Sequence, residues 1–261
     1  MAVNLPRDIR AFLSEYHRKG LARSPQETEC NDNFEFYKNR LRCQPDGPIG
    51  VDVRGCTANR WKGDYNKLEF GHGYIQWLFP IQEDGINFAA QRLTPHEISA
   101  MRADAEVMRR IVRAYTMMLD FYGMRLQSEE TGLVGRALPP GSYSSRYVNL
   151  LYAPHNNLRI SRILKCLSEL GLERLNAGFV LHVLNEQSEH AELRSPFICD
   201  SMDRWWANCI RDDHEREWVA RLIARVRSGQ RVFTRQMYEN VLERRRQTGK
   251  FPTELLDGST S

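Results

Sequence analysis

Residues 94–123 read TPHEISAMRADAEVMRRIVRAYTMMLDFYG, and this stretch decides the fold class. Thr94 is placed to cap a helix, Pro95 suits the first helical position, and Glu97 can reach back to complete a capping box. Downstream, Ile98, Met101, Met108, Ile111, Val112, Tyr115, Met118, Leu119 and Tyr122 keep a helical beat of about 3.6 residues. The beat ends at Gly123, and a break near Asp104 divides it into two helices.

The same spacing extends outward in both directions. Towards the N-terminus, Leu5, Ile9, Phe12, Leu13 and Tyr16 line one face of a helix opened by Pro6 and closed at Gly20. A polar linker over 23–33 follows, then a short helix from Phe34 to Leu41 and a loop from Gln44 to Gly63. Beyond Gly123 the beat is lost over 124–154, where Gly132, Gly135, Pro139, Pro140 and Gly141 mark an irregular crossover. It returns with Asn157 as a helix cap ahead of Ile160, Ile163, Leu164, Leu167 and Leu170, and Gly171 as the stop. Another helix runs from Glu173 towards His190, and Ser195-Pro196 opens one that contains Trp205 and Trp206. Two more carry Trp218, Leu222 and Val226, then Met237, Val241 and Leu242, before a frayed tail from Pro252 to Ser261. No strand alternation lasts more than a few residues, and no repeat has a fixed period. The prediction is an all-α, multi-helix globular bundle of about eight to ten helices with the crossover near 124–154.

Composition narrows the function classes. The 261 residues are 41% hydrophobic and 27% charged, with five Trp, eleven Phe and ten Tyr, which fits a chain with a real core. A formal charge of +4 is well short of a dedicated nucleic-acid binder. No apolar run approaches the roughly 18 residues of a membrane span, so any membrane contact is expected to be peripheral. The start, Met1-Ala2-Val3-Asn4-Leu5-Pro6-Arg7-Asp8, lacks the order of a signal peptide. The six Cys at 30, 43, 56, 166, 199 and 209 form no Cys-x-x-Cys pair and read as reduced thiols of a cytoplasmic or nuclear protein.

Catalytic and cofactor signatures are missing: no Gly-x-Ser-x-Gly, no phosphate-binding Walker loop and no His-Glu-x-x-His. No catalytic residue, metal or cofactor is therefore predicted. Gly71-His72-Gly73 supplies only two of the three glycines of a dinucleotide loop with no strand before it, and Gly132-Leu133-Val134-Gly135-Arg136, although similar to a KH-type clamp, is read as a turn. His182, Glu186 and His190 share a helical face. The outer pair stands roughly 12 Å apart, too far to ligate one ion, so a solvated face is the preferred reading. An unrecognised active site around His72 and His155 ranks last and requires the two to be close.

Two segments are candidates for binding. Tyr74-Ile75-Gln76-Trp77-Leu78-Phe79-Pro80 is apolar all round and reads first as core, with an aromatic pocket around Trp77 and Phe79 as the functional alternative. His155-Asn156-Asn157-Leu158-Arg159 places an imidazole, amides and a guanidinium at a helix N-terminus, where an anion or carboxylate is favoured. Arg159, Arg162 and Lys165 continue it as a basic stripe, and Arg244-Arg245-Arg246 forms a second basic run.

Those two segments resemble the hallmark motifs of the opioid growth factor receptor family. Asn33-Phe34-Glu35-Phe36-Tyr37 with Gln44-Pro45-Asp46-Gly47 resembles its opening segment. Arg113-Ala114-Tyr115 with Met118-Leu119-Asp120-Phe121-Tyr122-Gly123 is similar to its central helix. Arg162-Ile163-Leu164-Lys165 with Glu169-Leu170-Gly171-Leu172-Glu173 is similar to the helix after the second hallmark. The resemblance covers about residues 32–190 and weakens towards 228, which gives a conserved domain over 32–228. A helix and linker (1–31) precede it, and a helix and tail (229–261) follow. Vertebrate members of the family also carry long C-terminal extensions.

The resemblance implies a non-enzymatic receptor, unrelated to seven-helix opioid receptors, that binds the pentapeptide Met-enkephalin, lies near or in the nucleus and restrains proliferation. The expected partner is thus a small peptide or a protein, with no transmembrane span. A peptide amine and aromatic side chains call for a carboxylate beside an aromatic cleft. Glu69 or Asp120, near Trp77, Phe79 and Tyr122, would supply it, alongside His155, Asn156, Asn157 and Arg159. The alternative is a helical scaffold that binds a protein or nucleic acid through its basic helices.

Overall fold

The computed structural model describes residues 5–14, 30–42, 61–139 and 142–253. The described residues hold twelve α-helices and one short hairpin. The chain is mostly helical, as the periodicity predicts.

The central pair matches its sequence signals closely. Helix α5 (Pro95–Ala103) has the full capping box: Thr94 Oγ1 accepts from the Glu97 N–H, and the Glu97 carboxylate accepts from the Thr94 N–H. Asp104 ends α5 and caps α6 (Ala105–Phe121) through Oδ1, which accepts from the N–H groups of Glu106 and Val107. Gly123, at φ +80°, turns the chain away from α6 in the left-handed conformation glycine adopts freely. Ile111, Tyr115, Met118 and Leu119 of α6 are buried, each apolar side chain contributing roughly 1.5–3 kcal/mol.

Four short helices precede this pair: α1 (Arg7–Leu13), α2 (Asp32–Tyr37), α3 (Tyr65–Phe70) and α4 (Tyr74–Leu78). Tyr16, Gly20 and most of the 44–63 loop lie outside the described residues, as does the tail from Glu254. Trp61, at the end of that loop, is buried and packs edge-on to Tyr74 at 5.3 Å.

The crossover is more ordered than the sequence suggests. It holds an antiparallel hairpin, β1 (Met124–Leu126) with β2 (Val134–Arg136), in the register Met124↔Arg136 and Leu126↔Val134. It also holds helix α7 (Tyr143–Tyr152), capped by Ser142. The core helices α8 (His155–Glu169) and α9 (Glu173–Glu189) follow. Ser195 caps α10 (Pro196–Ser201) as predicted, and a π-helical turn over Met202–Trp206 sends Trp206 into the core. Helices α11 (Asp213–Arg227) and α12 (Arg235–Thr248) complete the bundle. Tyr238 of α12 ties three elements together, its hydroxyl donating to the Gly178 carbonyl of α9 at 2.8 Å and accepting from the Val134 N–H of β2 at 2.9 Å.

The helical face of His182, Glu186 and His190 is not solvated as expected. His182 and Glu186 are buried, with His182 Nε2 3.1 Å from the Tyr147 hydroxyl and Glu186 gripped by Arg136 at 2.7 and 2.9 Å. Burial, with Arg235 and Arg136 adding to it, pushes the His182 imidazole down to about 3. The ring is therefore neutral, and its 3.8 Å approach to Glu186 is not an ion pair near neutral pH. No cluster of three or more metal-ligating side chains occurs among the described residues.

Candidate functional site

Helix α8 begins at the second hallmark motif, and its basic side chains turn inward. Arg159 is buried. Its Nη1 donates to the Leu68 carbonyl (2.9 Å) and Asn156 Oδ1 (3.1 Å), and its Nη2 donates to the carbonyls of Glu69 (3.0 Å) and Gly71 (2.7 Å). These carbonyls belong to the end of α3, where helix geometry leaves acceptors without partners and a cation is favourable. Three residues on, Arg162 Nε donates to the Phe79 carbonyl at 2.8 Å, just past α4. Three further on, buried Lys165 bonds Asp8 (2.9 Å) and Glu83 (2.7 Å), fastening α1 and the loop after α4. Read from sequence as a basic stripe that could engage a partner, this row is instead an internal spine, and it joins the two hallmark motifs.

The helix start differs from expectation too. The N-cap position is Pro154, not Asn157. Asn157 is buried in the first turn, where its carbonyl accepts the Trp206 indole N–H at 3.2 Å. The negative charge favoured at this helix end is the protein's own Glu69. Glu69 Oε2 accepts from Asn149 Nδ2 (2.8 Å) and Asn156 Nδ2 (3.4 Å). His155 Nε2 stands 2.6 Å from Oε1, a close contact without hydrogen-bond alignment that is an ion pair only when the ring carries a second proton. Burial raises the Glu69 carboxyl, but the two amides and the charges of His155 and Arg159 outweigh it and hold the group below its ordinary range. It is ionised at neutral pH.

His72 completes the cluster. Its Nδ1 lies 3.1 Å from Arg159 Nη2, and its ring meets that of His155 edge-on at 6.1 Å. Burial, Arg159 and His155 together depress the His72 imidazole, against an opposing pull from Glu69. The proximity that a histidine-based active site would need is therefore present. The partners of the two rings, however, are a carboxylate and a guanidinium rather than a hydroxyl or thiol nucleophile. What the arrangement offers is a fixed, ionised carboxylate flanked by imidazoles.

The aromatic members of the sequence-based set lie elsewhere. Trp77, Phe79 and Tyr122 are buried in the core, which agrees with the first reading of 74–80 as core rather than with the alternative of an aromatic pocket. Tyr122 borders an apolar cavity of about 10 Å³, shared with Tyr115, Ile160 and Phe179, which is at the lower limit for a single water. Asp120 is half-buried and accepts from the Tyr65 hydroxyl at 3.3 Å, in a separate group with Arg146. Of the predicted positions, the structure brings together Glu69, His155, Asn156 and Arg159.

Sequence reasoning missed a set of exposed apolar side chains. Phe70 follows Glu69 and is exposed, as are Tyr152 and Leu158 on either side of His155. Ile86 and Phe88 are 91% and 97% exposed, on a loop held in place from several sides. Between them, Asn87 Nδ2 donates to the Gly73 carbonyl (3.1 Å), next to His72, and Asn87 Oδ1 accepts from the Ala89 N–H (3.0 Å). The Gln76 amide fills the space beside Gly85 so fully that a Cβ there would meet its Oε1 at 1.6 Å. The available signal was apolar residues in a polar loop with no helical beat to place them.

Comparison with known proteins bears on this geometry. The family model "Opioid growth factor receptor (OGFr) conserved region" matches residues 26–241. Human opioid growth factor receptor is 42% identical over 193 residues, which is 73% of this chain and 27% of that protein. Opioid growth factor receptor-like protein 1 of Mus musculus is 39% identical over 227 residues, 87% of this chain and 47% of its own length. The Xenopus tropicalis protein of the same description is 43% identical over 217 residues, 82% of this chain and 40% of the relative. The chain thus spans less than half of each of these relatives. No solved structure matches.

Proposed function

This chain belongs to the opioid growth factor receptor family, and from that premise we propose that it is a non-enzymatic module that binds a short peptide and takes part in growth regulation. The observation that carries the reading is the ionised Glu69, held by Asn149 and Asn156 with His155 2.6 Å away; to the same site we assign the exposed Phe70, next to it in the sequence, Tyr152 and Leu158, three residues either side of His155, and Phe88 as an apolar surround. A carboxylate of this kind takes a peptide amine, and aromatic and aliphatic side chains dock on the apolar surround. Met-enkephalin, with a free amine, aromatic rings and a thioether, has the matching groups. Its binding site on this chain is Glu69 and His155 with that surround, not Trp77, Phe79, Asp120 or Tyr122.

Calorimetric titration of the full chain with Met-enkephalin tests the assignment. Saturable heat is expected, with affinity at least about tenfold weaker in Glu69→Gln. Absence of heat from the unaltered chain at high micromolar peptide overturns the reading. A scaffold that engages partners through Arg159, Arg162 and Lys165 is not supported, because those groups are spent inside the fold. A cytoplasmic or nuclear setting goes with the reading, supported by the buried free thiols of Cys166 and Cys209. Among the described residues no helix is long and apolar enough to cross a membrane.

A further inference from the structure

We propose that His72 is a proton-operated latch on the Glu69–His155 site: the neutral ring completes the Arg159 clamp, and a proton on Nδ1 releases it. The geometry rests on donor and acceptor inventory. A guanidinium donates and never accepts, so in the 3.1 Å contact with Arg159 Nη2, whose two N–H groups are shared with the Glu69 and Gly71 carbonyls, Nδ1 of His72 is the acceptor. The proton of the neutral ring must then sit on Nε2. A second proton, on Nδ1, sets two cationic donors facing each other and leaves no hydrogen bond between them.

The groups facing His72 can be named by element. Helix α8 contributes Arg159 and His155, α3 contributes Glu69, and Tyr74 of α4 lies 5.7 Å from the Arg159 guanidinium. Glu69 is the one group that favours a proton on His72, while burial, Arg159 and His155 oppose it. The latch is therefore closed at pH 7 and opens as the pH falls below the ordinary histidine value of about 6.5. Opening acts on the site directly. Arg159 Nη2 also holds the Glu69 and Gly71 carbonyls, and the Gly73 carbonyl anchors Asn87 between Ile86 and Phe88. A departing His72 ring thus loosens the turn that joins the carboxylate to its apolar surround.

This inference rests on the proposed site but is tested without a ligand. Hydrogen–deuterium exchange of residues 68–75 in the full chain is followed from pH 7.5 to 5 and corrected for intrinsic exchange, alongside NMR titration of the His72 ring. The ring is expected to titrate below about 6.5, with exchange rising at least about tenfold over the same range. His155→Asn should keep the step. His72→Asn, whose Oδ1 accepts from Arg159 at every pH, should abolish it. A flat profile in the unaltered chain, a step that survives His72→Asn, or a ring that titrates at or above 6.5 overturns the latch. If Met-enkephalin gives no heat while the step persists, the ligand assignment fails and the latch stands.

Discussion

Arg159 shows what a single residue contributes here. Its donors satisfy three backbone carbonyls at the end of α3 as well as Asn156 and His72, an arrangement that needs a planar fork. Lysine presents its donors from one point, so Arg159→Lys leaves helix-end carbonyls without partners and should cost about 2–3 kcal/mol in urea unfolding. A loss under about 0.5 kcal/mol would show that water replaces the clamp. His182 supports a second residue-scale prediction. Its folded value of about 3 lies below its ordinary 6.5, so the unfolded chain binds the proton more readily. The stability it contributes is fully present above pH 6.5 and is lost as the pH falls from there towards 3. Between pH 7 and 5 the unaltered protein should lose about 1–2 kcal/mol more than His182→Gln, measured by denaturant unfolding at each pH. Equal losses would remove His182 as the source. Neither role was legible from sequence. Spacing alone puts Arg159, Arg162 and Lys165 on one face and His182 with Glu186 on another, but it does not say which way a charged face points. The usual preference of charge for water gave the wrong direction in both cases.

At the scale of elements, arginines from one segment close the helices of another. Arg110 donates to the carbonyl of Tyr37 at the end of α2, Arg146 to Phe121 at the end of α6, and Arg102 to Glu169 at the end of α8. Arg159 and Arg162 do the same for α3 and α4. Short helices that are marginal alone are thereby made part of the bundle. The contact of α9 with the hairpin loop is the tightest of these joints. A Cβ on Gly178 would stand 1.8 Å from the Gly132 carbonyl oxygen, so the α9 backbone lies directly against the loop. Helix propensity alone favours Gly178→Ala by about 1 kcal/mol, but the backbone displacement it forces costs about 1–3 kcal/mol or more. The substitution should therefore lower the melting temperature, and a rise would show that the loop yields freely. Elements with caps and long apolar stripes were readable: α5 and α6 from Thr94 and Asp104, α10 from Ser195-Pro196. The hairpin was not, since strands of three residues carry too little alternation to register. Helix α7 was hidden because Tyr147 and Leu150 are its buried residues while Arg146 and Asn149 serve as polar ties to neighbouring segments.

For the whole molecule, the arginine ties account for a chain of 37 basic residues that shows no nucleic-acid signature, since many of those charges cap helices or pair with buried carboxylates. The surface then differs from the core in an unusual respect. Ile86 and Phe88 are left in solvent on a loop held by Asn87, Gly85 and the Arg92–Asp84 pair, although nothing in the core requires them there. A side chain that is 97% exposed contributes little to folding, so Ile86→Ser with Phe88→Ser should leave the unfolding free energy within about 0.5 kcal/mol of the parent. If the loop contributes to binding, the same variant should weaken Met-enkephalin by about tenfold or more, because rigid apolar groups dock at little ordering cost. Unchanged affinity with unchanged stability would detach the loop from the site and leave Glu69, His155 and the neighbouring Phe70, Tyr152 and Leu158 to carry the ligand. Lost stability would instead assign Ile86 and Phe88 a structural role, contrary to their exposure. The separation of the two readouts is what distinguishes a binding surface from a fold determinant. It applies with the opposite expectation to Trp77 and Phe79, which the sequence offered first as core and which the fold encloses.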